Sequence, residues 1–431
     1  MKIPNRCFAL LLPGFLFLPL HSQRFDTWFE PGVMRLDLMF TGSSDQSSYA
    51  LVDVRKEAYY SGSKTQLIDP FDYGDHVFRV KDAGDGTLLY SHSYCTLFRE
   101  WQTTVEATER SRSFSHVLRF PWPKEKVKVE VLDRQKNGSF SLVWSDEFDP
   151  SKEYADPTNP LPFKVVELEL NGAPEEKVDL LFLAEGYRAE EMEKFLADAR
   201  RSANYIFSEE PFRSHRSDFN IRAVLSAGSD SGTDIPGRGV WKRTRMNTRF
   251  YTFGIERYMT TADFISVCDV AANAHYDQIY ILVNTDKYGG GGIYNFYSIS
   301  AADNEASRAV LIHEFGHAFA GLADEYYSSE VAYNDYFPQG VEPWNPNLTT
   351  LVDFERKWKA MLEEGTAVPT AATPEHTETL GVYEGGGYVA KGVFRPMMDC
   401  RMHSNDAAFC PVCSRAIEDM ISRHTGLKSL H

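Results

Sequence analysis

Two histidines and a glutamate form the most informative group of residues in the chain. His313 and His317 stand four residues apart, and Glu314 directly follows the first. On a helix this spacing puts both imidazole rings on one face, where two nitrogens reach a single Zn²⁺ at about 2.0–2.1 Å. Glu314 is offset around the helix, so it can accept a proton from a zinc-bound water without being a ligand. The pattern therefore predicts a zinc hydrolase site.

The third ligand has to come from beyond this helix, because a catalytic zinc ion needs three protein ligands and one open position. Asp324 follows His317 by seven residues, and a continuous helix would carry it about 10 Å along the axis and out of reach. The helix must therefore end and turn back at Gly321, since glycine readily adopts the left-handed conformation. We predict Asp324 as the third ligand, with Glu325 as its competitor. Alternatively, neither carboxylate is a ligand and the third one lies far away in sequence.

The stretch from His313 to Asp324 resembles the metzincin arrangement, in which such a helix turns at a glycine to deliver a third ligand. It departs from that pattern because the glycine comes one residue later and the third ligand is not histidine. The string HEFGHAFAGLADEY, with YGGGGIYN before it and FCPVC after it, resembles the M64 family of bacterial metallopeptidases, named for immunoglobulin A peptidase. The resemblance covers most of the chain. It implies a zinc peptidase acting on a protein or glycoprotein, without implying an immunoglobulin substrate.

Two further features are expected from the metzincin resemblance. An exposed edge strand before the zinc helix would pair with an extended substrate, and Ile293–Ile299 alternates apolar and polar residues at that place. A methionine turn would lie beneath the metal, and Met398 in Arg395–Cys400 is the candidate. The alternatives are an ordinary edge strand and an ordinary core methionine. Tyr288 and Tyr326 are close to the motif in sequence and are weaker candidates for a role.

Alternating strands and helices must position these residues in the second part of the chain. This alternation predicts an α/β domain with a mostly parallel sheet, metzincin-like in its fold, over residues 164–431. The zinc helix is expected to begin near Asn304, and the glycine run from Lys287 to Gly292 is expected to be a flexible turn. The other predicted elements are the strands Lys177–Leu183, Asn220–Leu225 and Gln278–Val283 and the helices Ala189–Phe207 and Thr261–Ala274.

The first part of the chain has a different pattern. Residues 23–150 contain short β-branched or alternating runs separated by turn signals, which is typical of an antiparallel β-sandwich. Residues 151–163 form a proline-rich linker, because prolines there cannot lie inside a regular element. Nothing in the predicted sandwich points to catalysis, so a binding, positioning or shielding role is expected for it.

Composition and the N-terminus bear on the location of the protein. The 431 residues carry 45 basic and 61 acidic side chains, a net charge of −16, which argues against a nucleic-acid partner. Lys2 and Arg6 precede an apolar run from Phe8 to Leu20 that is too short to span a bilayer. Residues 1–22 therefore resemble a secretory signal peptide, with a short membrane anchor as the alternative. We expect an exported protein with no membrane insertion after signal removal.

Three cysteines lie close together near the C-terminus. Cys400, His403, Cys410 and Cys413 have a spacing that suits a structural zinc site in a cytosolic protein. In an exported protein a disulfide is favoured, most simply between Cys400 and Cys410. A redox role for the pair Cys410 and Cys413 is a third reading, without a thioredoxin-like pattern around it. For the whole chain, the alternatives to a peptidase are a non-enzymatic surface or glycan-binding protein with a structural zinc site, and another zinc hydrolase.

Overall fold

The computed structural model describes residues 25–327, 337–338 and 340–426. The predicted signal peptide, residues 1–22, lies outside the described residues. Within the described ranges, every helix is too short or too polar to cross a bilayer. The architecture is mixed α/β, with an N-terminal domain and several antiparallel sheets.

Two antiparallel sheets make up the N-terminal domain. Their strand orders are β2-β1-β5 and β4-β3-β6-β7. Aromatic rings join the two sheets, since the ring centroids of Phe40 and His76 are 5.8 Å apart and those of Phe78 and Phe120 are 6.2 Å apart. The strands are β1 Phe29–Gly42, β2 Ser47–Glu57, β3 His76–Asp82, β4 Leu88–Tyr94, β5 Arg112–Pro123, β6 Val127–Arg134 and β7 Phe140–Phe148.

A six-stranded sheet forms the centre of the second part of the chain, in the order β12-β13-β11-β9-β10-β8. The four inner strands are parallel to one another, while the edge strands β8 and β12 are antiparallel to their neighbours. The mostly parallel sheet expected from the sequence is therefore confirmed. The strands are β8 Val165–Glu169, β9 Val178–Glu185, β10 Phe219–Val224, β11 Gln278–Val283, β12 Gly290–Ile293 and β13 Tyr297–Ala301.

The central strands β9 and β11 contain long apolar runs, as strands covered on both faces require. All residues of β9, β10 and β11 are buried. Helices cover the sheet, and α6, which carries the histidine motif, packs against β12 and β13. The helices are α1 Phe25–Trp28, α2 Leu97–Gln102, α3 Glu106–Glu109, α4 Met192–Ile206, α5 Phe264–Ala271, α6 Ser307–Ala320 and α7 Pro411–Thr425.

Downstream of α6 the chain returns to the same region. A two-stranded antiparallel hairpin, β14 Tyr383–Gly386 and β15 Val389–Arg395, precedes a turn and then α7. The Gly387 amide donates to the Asp324 carbonyl over 2.9 Å, and the Tyr388 amide donates to the Tyr326 carbonyl over 3.0 Å. The hairpin therefore fixes the backbone that follows α6.

The N-terminal domain supports the edge of the six-stranded sheet. The Cys95 amide donates to the Tyr294 carbonyl over 2.9 Å. The Asn295 side chain donates to the Ser93 carbonyl over 2.8 Å. Both contacts hold the turn that joins β12 to β13, so the N-terminal domain fixes the position of the strand nearest to the histidines.

Candidate metal centre

Helix α6 presents His313 and His317 to a cleft next to the end of the helix. The two Nε2 atoms are 3.0 Å apart. Asp324 Oδ1 lies 3.0 Å from His313 Nε2 and 3.3 Å from His317 Nε2. The structure thus brings together the three residues predicted as ligands, in a triangle with sides of 3.0–3.3 Å.

The other nitrogen of each histidine ring is held by a backbone carbonyl. His313 Nδ1 donates to the Arg401 carbonyl over 2.9 Å, and His317 Nδ1 donates to the Leu322 carbonyl over 2.6 Å. A carbonyl oxygen only accepts, so Nδ1 must carry the hydrogen in both rings. The Nε2 lone pairs therefore face the cleft, as metal-binding histidines require.

Gly321 makes the turn that brings Asp324 back. Helix α6 ends at Ala320, and Gly321 has φ 64° and ψ 24°, in the left-handed region. A Cβ at this position would also lie 2.8 Å from the Trp344 ring. The predicted end of the helix is confirmed, and its physical reason is the one expected from the sequence.

Asp324 is buried, with only 6% of its surface exposed. Its Oδ2 accepts hydrogen bonds from the hydroxyls of Tyr326, at 3.0 Å, and Tyr388, at 2.5 Å. Its Oδ1 has no hydrogen-bond donor among the described residues. Since a buried carboxylate oxygen without a partner is costly, the site fits a cation at the point that Oδ1 and the two Nε2 atoms share.

The dimensions also fit a tetrahedral metal ion. Two nitrogen or oxygen ligands about 2.05 Å from one tetrahedral zinc ion stand about 3.3 Å apart, close to the observed triangle. Electrostatics point the same way. Burial alone would lower the pKa of His317, yet the Asp324 carboxylate raises it to about 9. A positive charge is therefore favoured between these residues, whether a proton or a metal supplies it.

Glu314 lines the same cleft without joining the triangle. Burial raises the pKa of its carboxyl group above the ordinary value, although positive charge on the neighbouring His313 and His317 lowers it. A raised pKa brings a carboxylate closer to the range in which it accepts protons at neutral pH. The position and chemistry suit a general base.

The cleft is lined by polar and aromatic side chains. Sequence reasoning missed Tyr388, Trp344 and Arg257, of which Arg257 shares a hydrogen bond with Tyr326. Tyr288 and Tyr326, which the sequence singled out weakly, both line the cleft. The hydrogen bond from Tyr388 to Asp324 spans 64 residues, and no short motif signals such a contact.

The edge strand differs from the prediction. Ile293–Ile299 is not one strand, because a turn at residues 294–296 separates β12 from β13. The edge strand is Gly290–Ile293, and half of the expected flexible turn, its last three glycines, belongs to it. A Cβ at Gly292 would lie 2.2 Å from the Glu314 carbonyl oxygen. Glycine is thus required because the strand passes directly against α6, a tertiary contact that outweighs the low strand preference of glycine.

Comparison with known families agrees with these observations. Residues 166–379 and 371–421 match the family model described as IgA Peptidase M64, and residues 24–145 match Peptidase M64 N-terminus. The chain belongs to peptidase family M64. None of the curated proteins matches the chain. M64 peptidases are metallopeptidases, so a metal site is expected in this chain. His313, His317 and Asp324 could hold the metal ion, and Glu314 lies beside them in the cleft.

Met402, four residues after the predicted Met398, packs against α6 of this M64 peptidase at Gly316. Met402 is fully buried, and its sulfur lies 3.1 Å from where a Cβ on Gly316 would be. Met398 is only half-buried. The chain bends again at residues 401–403, so Met402 and Met398 lie on different parts of the segment, and Met398 stays a prediction. That same turn supplies the Arg401 carbonyl that holds His313.

The predicted disulfide between Cys400 and Cys410 is absent, since all five described cysteines of the M64 chain are unpaired. His403 does not join the cysteines, as its Nδ1 lies 3.2 Å from Asp399 Oδ1 instead. Glu325, the predicted competitor of Asp324, points away from the histidines, and its Oε1 lies 3.3 Å from Cys413 Sγ. The two adjacent carboxylates therefore belong to two different groups.

Proposed function

We propose that this M64 peptidase is an exported zinc-dependent endopeptidase. His313, His317 and Asp324 would be the zinc ligands and Glu314 the general base. The observation that carries the proposal is the triangle of two Nε2 atoms and one carboxylate oxygen, 3.0–3.3 Å on a side, beside a buried glutamate. Two imidazoles, one carboxylate and an open fourth position form a ligand set typical of catalytic zinc.

The side chains of the cleft have distinct roles in this proposal. Bound zinc supplies a Lewis acid that polarises the scissile carbonyl and acidifies water. Glu314 takes the proton from the attacking water and passes it to the leaving amine. Tyr326 and Tyr388 hold Asp324 in place through Oδ2. Arg257 contributes positive charge to the cleft, where negative charge develops on the scissile carbonyl oxygen.

The substrate is proposed to be an extended segment of a protein or glycoprotein lying along β12. Part of this edge is already used, because Gly290 exchanges backbone hydrogen bonds with Arg257 and Met259 over 3.3 and 3.1 Å. In a strand, the backbone N–H and C=O groups of every second residue point to the same side. Substrate pairing would therefore begin at Gly292, whose groups point away from β13 as those of Gly290 do. Backbone pairing of this kind gives affinity that depends little on sequence.

The finer features of the fold are interpreted in the same way. The two N-terminal sheets are interpreted as a β-sandwich, and the six-stranded sheet with α6 as a metzincin-like catalytic domain. Export is proposed from the apolar N-terminal run alone. N-terminal sequencing of protein collected outside the producing cells is expected to start at Gln23, and a start at Met1 would contradict the signal peptide.

The decisive experiment compares the wild type with Glu314→Gln on casein, a mucin glycoprotein, an immunoglobulin and a proteome-derived peptide library. The exposed Glu305→Gln, just before α6, is the matched control. We expect cleavage by the wild type and the control only, with equal metal content in all three proteins. A folded, metal-loaded wild type that cleaves none of these substrates would overturn the peptidase proposal and favour a non-enzymatic surface or glycan-binding protein.

A further inference from the structure

A second group of potential metal ligands lies behind the histidine site. Cys400, Cys410, Cys413 and Glu325 each offer one ligand atom, and these four atoms all lie within 4.8 Å of one another. All four residues are buried, with 0–4% of their surface exposed. Among the described residues, those that line the cleft of His313 and His317 include none of these four. The group is therefore separate from the cleft in which peptide hydrolysis is proposed.

The distances in this group match a metal site better than a disulfide. Cys400 Sγ lies 3.7 Å from Cys413 Sγ. Two thiolates about 2.3 Å from one tetrahedral zinc ion stand about 3.75 Å apart, and a thiolate and a carboxylate oxygen about 3.5 Å apart. The distance from Cys413 Sγ to Glu325 Oε1 is 3.3 Å. A disulfide would join two of three cysteines and leave one thiol and one carboxylate buried together.

The carboxylate of Glu325 is short of partners. Its Oε1 accepts a hydrogen bond from Asn347 Nδ2 over 2.9 Å, but its Oε2 is buried and accepts none among the described residues. Within the described ranges no lysine, arginine or histidine nitrogen forms an ion pair with it, and the positive charge of Arg395 acts on it from a greater distance. A buried carboxylate without an ion-pair partner is costly, and a cation among three sulfurs removes that cost.

Backbone N–H groups face two of the three sulfurs. The Cys410 amide donates to Cys400 Sγ over 3.3 Å, and the Cys413 amide donates to Cys410 Sγ over 3.5 Å. Cys410 is the N-cap of α7, a helix of 15 residues. A helix N-terminus and N–H donors both stabilise negative charge on sulfur. Thiolate is the form in which cysteine binds a metal.

We propose that Cys400, Cys410, Cys413 and Glu325 bind a second metal ion of the zinc type, with a structural role. Four protein ligands in a buried group leave no open position, which is typical of a structural and not of a catalytic site. The ion would join the segment after α6, the turn at residues 400–402 and the start of α7. The Glu325 amide donates to the Met402 carbonyl over 2.8 Å, so these segments already meet there.

The test is the metal content of purified protein after saturation with Zn²⁺ and removal of the free ion. We expect two zinc ions in the wild type, and one in the double variant His313→Ala/His317→Ala. One ion is also expected in Cys413→Ser, while Cys95→Ala, a buried cysteine outside the group, should retain two. With Co²⁺ in place of Zn²⁺, thiolate-to-cobalt charge-transfer absorption should persist in the double histidine variant and disappear in Cys413→Ser.

The double histidine variant decides the matter even if Cys413→Ser does not fold. A folded double variant that binds no zinc and shows no thiolate absorption with Co²⁺ would overturn the proposal. A disulfide would also overturn the proposal. In that case only three of the five described cysteines of the wild type would react with a thiol reagent after unfolding without reductant. Neither result bears on peptide hydrolysis, which the Glu314→Gln experiment tests separately.

Discussion

Substituting Gly292 by alanine tests how closely the edge strand β12 must approach α6, the helix that carries the proposed general base Glu314. A Cβ at Gly292 would lie 2.2 Å from the Glu314 carbonyl oxygen and 3.1 Å from its Cα. Ordinary contact begins at 3.4 Å, so strand and helix would have to separate by about 1.2 Å (3.4 − 2.2). Backbone lies on both sides of this contact, and no side chain can rotate away to relieve it.

The separation predicts a loss of both stability and rate. Inserting a methyl group into a packed interior costs about 1–3 kcal/mol of unfolding free energy. Moving a catalytic group by about 1 Å lowers the rate about 10²-fold, and here the displaced group is Glu314. Gly292→Ala is therefore expected to remain folded and metal-loaded while its kcat falls about 10²-fold.

The assay combines kcat on a peptide that the wild type cleaves, urea unfolding and zinc content. Gly228→Ala is the matched control, because a Cβ there would lie 3.5 Å from its nearest neighbour, an ordinary contact. The control is expected to behave like the wild type. If Gly292→Ala also keeps wild-type kcat and stability, then β12 does not pack on α6 as described. Loss of folding in Gly292→Ala would instead put the cost of the contact above the expected range.

Three further predictions concern the candidate metal site and a buried histidine of the N-terminal domain. Tyr388→Phe removes a hydrogen bond from Asp324 and should weaken zinc affinity about 10–100-fold in a chelator competition, and unchanged affinity would contradict the support by Tyr388. Removing zinc at 100 times its dissociation constant should lower the unfolding free energy by about 2.7 kcal/mol per site, visible as a lower melting temperature. His116 is buried, with its ring centroid 4.5 Å from that of Tyr94, and burial holds its pKa well below 6.5. Below pH 6.5 the unfolded state therefore binds a proton at His116 that the folded state does not bind, and the unfolding free energy falls as the pH falls. His116→Phe should reduce that loss by up to about 1.4 kcal/mol per pH unit in urea unfolding at pH 7.5 and 5.5, and an unchanged pH dependence would refute this origin.

Local features of the histidine site follow directly from the sequence. The spacing of His313 and His317 fixes their shared helix face, and Gly321 marks the end of the helix through its own backbone preference. The parallel sheet follows from alternating apolar strands and helices. The histidine spacing and the helix end depend on residues within one or two turns of each other, and each strand or helix on a short local pattern, so a single sequence contains the information.

The features that the sequence missed depend on distant contacts. The glycine run looks like a turn until α6 is placed against Gly292. The cysteine spacing favours His403 as a neighbour, yet Glu325 from a distant segment takes that place. Met402 and not Met398 lies under Gly316 because of a turn that has no motif of its own. In each case the local sequence allows more than one arrangement, and only the packing of distant segments selects one of them.

The carbonyl that orients His313 has a consequence for biosynthesis. Arg401 lies 88 residues after His313, so a ribosome must add all of that chain before the imidazole can acquire its partner. Glu325 likewise waits for Met402. A nascent polypeptide that already contains the whole histidine motif therefore still lacks an assembled centre. The order of translation thus separates the synthesis of the two histidines from the assembly of the site that they form.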